Sequence, residues 1–218
     1  MATDRIILPG DPVNPGRNEA TRSRTEDGNI KHWSRVIVED NRIRTFRGAG
    51  STFRIPGVTT TAHNLWSIEN AAGSTILVAL KKLHLYVVNT AVSALVINPA
   101  LFRLTTLPTG GTPFTKTSVD PRDAASNASV VVRGGASVDG TAGTVITATA
   151  AGQRLTSALL PVMVTSGVYP ATVIDMLEGM DGEFLLGASQ SYLLQIPGGS
   201  NTAFHYIVNC EWEEFTEF

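Results

Sequence analysis

Within residues 201–215, NTAFHYIVNCEWEEF, positions 204–213 alternate with one exception. Phe204, Tyr206, Val208, Cys210 and Trp212 share one parity, His205, Asn209, Glu211 and Glu213 the other, and Ile207 is the apolar outlier. A period of two is that of a half-buried strand, so the first set is expected to face a core. The run STILVALKKLHLYVV is less regular. Ile76, Val78 and Leu80 share one parity, Leu83, Leu85 and Val87 the other, and the change falls at Lys81-Lys82. One extra residue there, a β-bulge, returns both sets to the same face and bends the strand. A buried helix competes through Leu77, Leu80 and His84, but Gly73 and the β-branched content favour the strand.

Similar short runs recur between turn signals such as NAAGS, PTGGT, RGGAS, DGTAG and PGGS. They place strands near 75–88, 94–97, 100–107, 129–133, 144–150, 159–165, 190–196 and 202–212. The fold class is therefore all-β, a β-sandwich or jelly roll of about eight strands. Short helices are expected only at QRLTSALL (153–160) and TVIDMLEG (172–179). No period of about 20–50 residues repeats, which disfavours a solenoid or propeller.

Residues 1–55 have a different texture, with nine arginines and few aliphatics outside RIIL and RVIV. Such a segment has too little apolar surface to form its own core, and ordering it costs roughly 1–2 kcal/mol per residue of backbone entropy. It reads as an extended N-terminal arm, able to span roughly 180 Å, preceding a sandwich domain at 56–218.

At 218 residues, 43% hydrophobic and 17% charged, the chain has the composition of an ordinary globular domain. No apolar run reaches the ~18 residues of a membrane span, and the N-terminus lacks the apolar stretch of a secretory leader. A lone cysteine, Cys210, on the apolar face of its strand reads as a small core residue. Residues 1–60 hold ten Arg and Lys against seven acids, and the remainder seven against twelve, so a +3 head precedes a −5 body.

Candidate chemistry is sparse. His32, His63, His84 and His205 lie far from any carboxylate or cysteine at metal-ligand spacing, so no metal or other cofactor is expected. His84 and His205 read as structural, and His63, in TTTAHNLWSIENAAG, as part of a turn with Leu65, Trp66 and Ile68 packing beneath it. Nucleophile elbows, phosphate loops and dinucleotide fingerprints are absent. The acids of EWEEFTEF and DMLEGMDGE read as solvated charge, the former along a strand edge. Arg22, Arg24, Arg35, Arg42, Arg44, Arg47 and Arg54, together with Trp33, form the candidate partner-binding arm. Interleaved acids argue against nucleic acid, whereas arginine forks on the carboxylates of a protein partner account for both the cations and the apolar islands.

The phrases TTTAHNLWSIENAAGSTILVALKKLHL, LTTLPTGGTPFTK, SVVVRGGASVDGTAGTVITAT and HYIVNCEWEEF, spanning roughly residues 53–215, resemble virion structural proteins of tailed bacteriophages. Within that group the size and strand pattern are similar to head decoration, or cement, proteins. The resemblance implies a non-enzymatic protein on the virion head, bound to the major capsid protein and assembled as a homotrimer. A tail, neck or baseplate component and a carbohydrate-binding sandwich, with Trp33, Trp66 or Tyr169 stacking on sugars, are the alternatives.

Overall fold

The computed structural model describes residues 19–26, 29–36, 42–58, 62–89, 94–136, 145–148, 153–157, 160–163, 172–180, 183–198 and 202–216. RIIL at 5–8 and Tyr169 lie outside them. The chain divides into two compact units, Met1–Arg42 and Ile43–Phe218.

The first unit contains an antiparallel hairpin of β1 (Glu19–Glu26) and β2 (Asn29–Val36), with Glu26 opposite Asn29 and Glu19 opposite Val36. This corrects the expected arm in two ways. Within it, the strands Glu19–Glu26 and Asn29–Val36 fold back on each other instead of running on as one extended strap, and the boundary falls after Arg42 instead of near residue 55.

The second unit begins with β3 (Ile43–Ser51), β4 (Ile55–Pro56), β5 (His63–Asn70), β6 (Ile76–Asn89), β7 (Ala94–Ile97) and β8 (Ala100–Leu104). It continues through β9 (Thr109–Gly110), β10 (Thr112–Pro113), β11 (Thr117–Ser118), β12 (Val130–Gly134), β13 (Ile146–Thr147) and β14 (Gln153–Ser157). It closes with β15 (Leu160–Met163), β16 (Thr172–Asp175), β17 (Phe184–Leu186), β18 (Gln190–Ile196) and β19 (Phe204–Thr216). A six-stranded sheet runs β10-β12-β5-β18-β8-β14. A seven-stranded sheet runs β11-β3-β19-β6-β16, with β4 also pairing β19 and β17 also pairing β6. The protein is all-β, as its alternation predicts, with more and shorter strands than eight.

The sheets face each other across one core. Trp66, Ile68, Tyr192 and Leu194 of the six-stranded sheet join Phe46, Leu83, Leu85 and Trp212 of the other in a single buried cluster. Fully burying a large apolar side chain contributes about 1.5–3 kcal/mol, so this cluster is the main source of cohesion. On β19, Phe204, Tyr206, Val208, Cys210 and Trp212 are all at most 2% exposed. On β6 the expected bulge is present: Glu211 pairs with Lys82 and Trp212 with Leu80, leaving Lys81 as the extra residue. Ile76, Val78, Leu80, Leu83, Leu85 and Val87 are accordingly all buried.

Three segments depart from expectation. HNLWSIEN is a central strand, not a turn, and all eight of its residues are buried. Beyond Trp66 and Ile68 on the core side, Ser67 and Glu69 are covered on the opposite face, where Ala100, Phe102, Leu104, Leu193 and Ile146 form a second apolar cluster. Asn64 Nδ2 donates to the Ile146 carbonyl at 2.8 Å, and Gln195 Nε2 donates to Asn64 Oδ1 at 2.6 Å, tying β13 to this sheet. The expected helices at 153–160 and 172–179 are the strands β14 and β16, the latter followed by a turn. Each is short and pairs along a neighbour's edge, so ladder hydrogen bonds outweigh weak local propensity.

β3 shows why a strand can lack an apolar stripe. Its inward positions are Phe46, Gly48 and Gly50. A Cβ on Gly48 would lie 2.6 Å from the Phe46 ring and closer still to Trp212, and one on Gly50 would lie 2.6 Å from Phe114. The glycines leave space that aromatic rings from elsewhere fill. Gly48→Ala is expected to lower stability by about 1–3 kcal/mol in urea unfolding.

His63, 7% exposed, packs edge-on against Tyr206 with ring centroids 6.3 Å apart, and its Nδ1 is buried without a hydrogen-bond partner among the described residues. Burial lowers its pKa from 6.5 to about 4. Between those values the unfolded chain binds the proton and the folded one does not, so stability is full above about pH 6.5 and falls as the pH drops toward 4. The expected loss is about 3 kcal/mol. His63→Gln should flatten this limb of the stability profile, measured by chemical denaturation at successive pH values.

Candidate functional site

The outward face of the seven-stranded sheet is polar by parity. Register aligns Ser51, Asn209 and His84 in one row across β3, β19 and β6, and Ala49, Glu211 and Lys82 in the next. Because Ala49 and Ser51 are small, the face dips into an open depression of about 500 Å³ lined by these residues and by the backbone at Gly50 and Cys210.

Charges on this face are paired internally. Glu211 accepts from Lys82 Nζ at 2.8 Å and from Arg47 Nη2 at 2.9 Å, and these bonds, Lys82 first, hold its carboxyl below the usual range. Lys81 Nζ lies 3.3 Å from Glu213 and 3.0 Å from Glu183. Arg44 reaches Asp120, Asp123 and Glu213 at 3.3, 3.4 and 3.7 Å. His84 Nε2 sits 3.7 Å from Asp175. Asn209 Oδ1 is buried with no hydrogen-bond partner among the described residues. Ser51 Oγ donates to the Thr52 carbonyl at 3.2 Å. The Cys210 thiol, on the core side of the same sheet, is pushed up to about 12 by burial, far from the range of a reactive thiolate. Among the described residues no three His, Cys, Asp or Glu side chains converge at metal-binding distance.

The candidate arm residues are thus split between the two units. Arg22, Arg24, Trp33 and Arg35 lie on the hairpin, and Arg42 is the last residue of the first unit. Arg44, Arg47 and Arg54 belong to the body, and the first two pair with its own acids instead of a foreign surface. The acidic terminus is likewise corrected. Glu211, Glu213 and Glu214 lie on β19, between β3 and β6, and Glu214 is wholly buried instead of solvated. Glu214 accepts from the Ser126 hydroxyl, from the Asn127 backbone N–H at 2.7 Å and from Trp212 Nε1 at 3.1 Å. It locks the 119–129 loop onto the sandwich, helped by Lys116, which donates to the Asn127 and Val130 carbonyls at 2.8 Å.

Sequence reasoning missed one further polar pair. Arg133 Nη2 lies 2.7 Å from the buried Glu69, on the far face of the six-stranded sheet. The available signal was parity, since both residues fall on outward positions of adjoining β12 and β5. No family model, curated protein or solved structure matches the chain.

The two kinds of acid on β19 should separate by mutation. Glu211→Gln, which breaks partly exposed pairs, is expected to cost at most about 1 kcal/mol, less at high salt. Glu214→Ala strands three donors and is expected to cost about 2–4 kcal/mol. Urea unfolding of both variants at neutral pH and two salt concentrations checks the ranking.

Proposed function

We propose that the protein is a non-enzymatic virion structural protein of a tailed bacteriophage, a decoration protein. In this reading it binds the outer surface of the head as a homotrimer and bridges neighbouring major capsid protein subunits. One observation carries it, the division of the chain after Arg42 into a sandwich whose charged sheet is internally paired and a separate unit that contains a charged hairpin. A shell under internal pressure resists rupture when neighbouring subunits are held together, and this demands attachment points, not catalysis. Two attachment elements on one chain supply it: once the first has docked, the second meets its site at high effective concentration, and modest contacts give long residence. The likeness in phrase order to virion proteins supports the same reading.

Purified protein mixed with heads lacking it should cosediment at a fixed ratio, with hundreds of copies per particle at saturation. Failure to bind heads together with copurification in a few copies per tail overturns the reading in favour of a tail or baseplate component.

A further inference from the structure

The hairpin register sorts its residues in a way the linear sequence hides. Residues directly opposite each other on an antiparallel pair share a face. Arg22 is opposite Trp33, Arg24 opposite Lys31, Ala20 opposite Arg35 and Glu26 opposite Asn29. Every Arg and Lys of the two strands therefore falls on one face, in company with Trp33. The other face carries Thr21 with Ser34, Ser23 with His32, Thr25 with Ile30 and Glu19 with Val36.

Same-face positions lie ~7 Å apart along a strand and ~5 Å apart across the pair, so Arg22, Arg24, Lys31, Trp33 and Arg35 hold neighbouring positions in the register. Arg24 and Lys31 are like charges at directly opposed positions, an arrangement that destabilises a hairpin by itself and that an anionic partner relieves. We propose that this face, made of Arg22, Arg24, Lys31, Trp33 and Arg35, docks on a carboxylate-lined protein surface with an apolar socket for Trp33. The proposal rests on the reading as a decoration protein for the identity of that surface, the outside of the head shell.

The distribution of charge favours protein over nucleic acid. The first unit holds seven Arg and Lys against seven Asp and Glu and so has no net charge. A polyanion would draw little long-range attraction from it and would meet Glu26 at the turn end of the same face. A protein surface can set carboxylates opposite the arginine forks and a cation opposite Glu26. Trp and Arg are also the residue types that dominate binding energy at protein interfaces.

The test uses the full-length protein in four forms: wild type, R24E/K31E, W33A, and T21E/S23E on the opposite face. Each is titrated against heads lacking the protein, against tails and against a short duplex DNA, while the thermal melt verifies that the sandwich is intact. Wild type is expected to bind heads, R24E/K31E to bind about 100-fold more weakly, W33A about 30-fold more weakly, and T21E/S23E nearly as well as wild type. Wild-type binding to heads with no loss in R24E/K31E, or equal loss in T21E/S23E, overturns the docking face while leaving the decoration reading standing. Binding to tails with the same ranking of variants overturns the decoration reading and supports the docking face. Binding to duplex DNA alone, or to none of the three, overturns the docking face.

Discussion

The pairing of β6 with β19 is the constraint on which the rest of the body depends. The ladder runs from Phe204 opposite Asn89 to Thr216 opposite Ile76, interrupted only by the extra residue Lys81. Each strand then carries the others: β3 and β4 on the free edge of β19, β16 and β17 on the free edge of β6. A slip of one residue in the half beyond the bulge would bring Lys82, His84 and Tyr86 into the core and turn Leu83, Leu85 and Val87 out, since side chains alternate strictly. The bulge lets one strand satisfy a continuous core although its apolar parity changes midway.

This ladder was legible in the sequence because its signal is one of alternation against solvent. The inward set of β19 and the bulge at Lys81 both follow from parity alone. β5 was illegible for the converse reason: with apolar residues against one face and Asn64, Ser67 and Glu69 covered on the other, it shows no polar and apolar alternation. β3 was illegible because glycine occupies two of its inward positions and the bulk that fills them arrives from Trp212 and Phe114. Its outward arginines then made it look like part of the leader. β14 and β16 were misread because each is an edge segment of only a few residues, too short for its period to be decided locally.

The candidate site was half legible, and sequence distance explains which half. Arg47 and Glu211 are 164 positions apart, yet they are neighbours on adjacent strands. A count of charge by segment cannot see such a pair, and so it assigned the arginines of β3 to a partner when the protein already supplies their acids. The outward cations of RTFRGAGS and the outward acids of CEWEEF were each visible, but only a pairing hypothesis for the two strands would have joined them.

Moving the boundary to Arg42 also changes what kind of recognition the leader can perform. The +3 excess of residues 1–60 came from Arg44, Arg47 and Arg54, all in the body, and without them the first unit is neutral. Its recognition then depends on where the hairpin register places charge, a short-range property that serves a docked geometry rather than long-range steering. A two-stranded ribbon is at best marginally stable in water by itself, so a surface that engages one of its faces also stabilises its pairing. Binding and ordering of such a ribbon are linked, and each contact on the cationic face acts on both. In the docking proposed for the small hairpin, register plays the part that it plays for folding in the β6–β19 ladder.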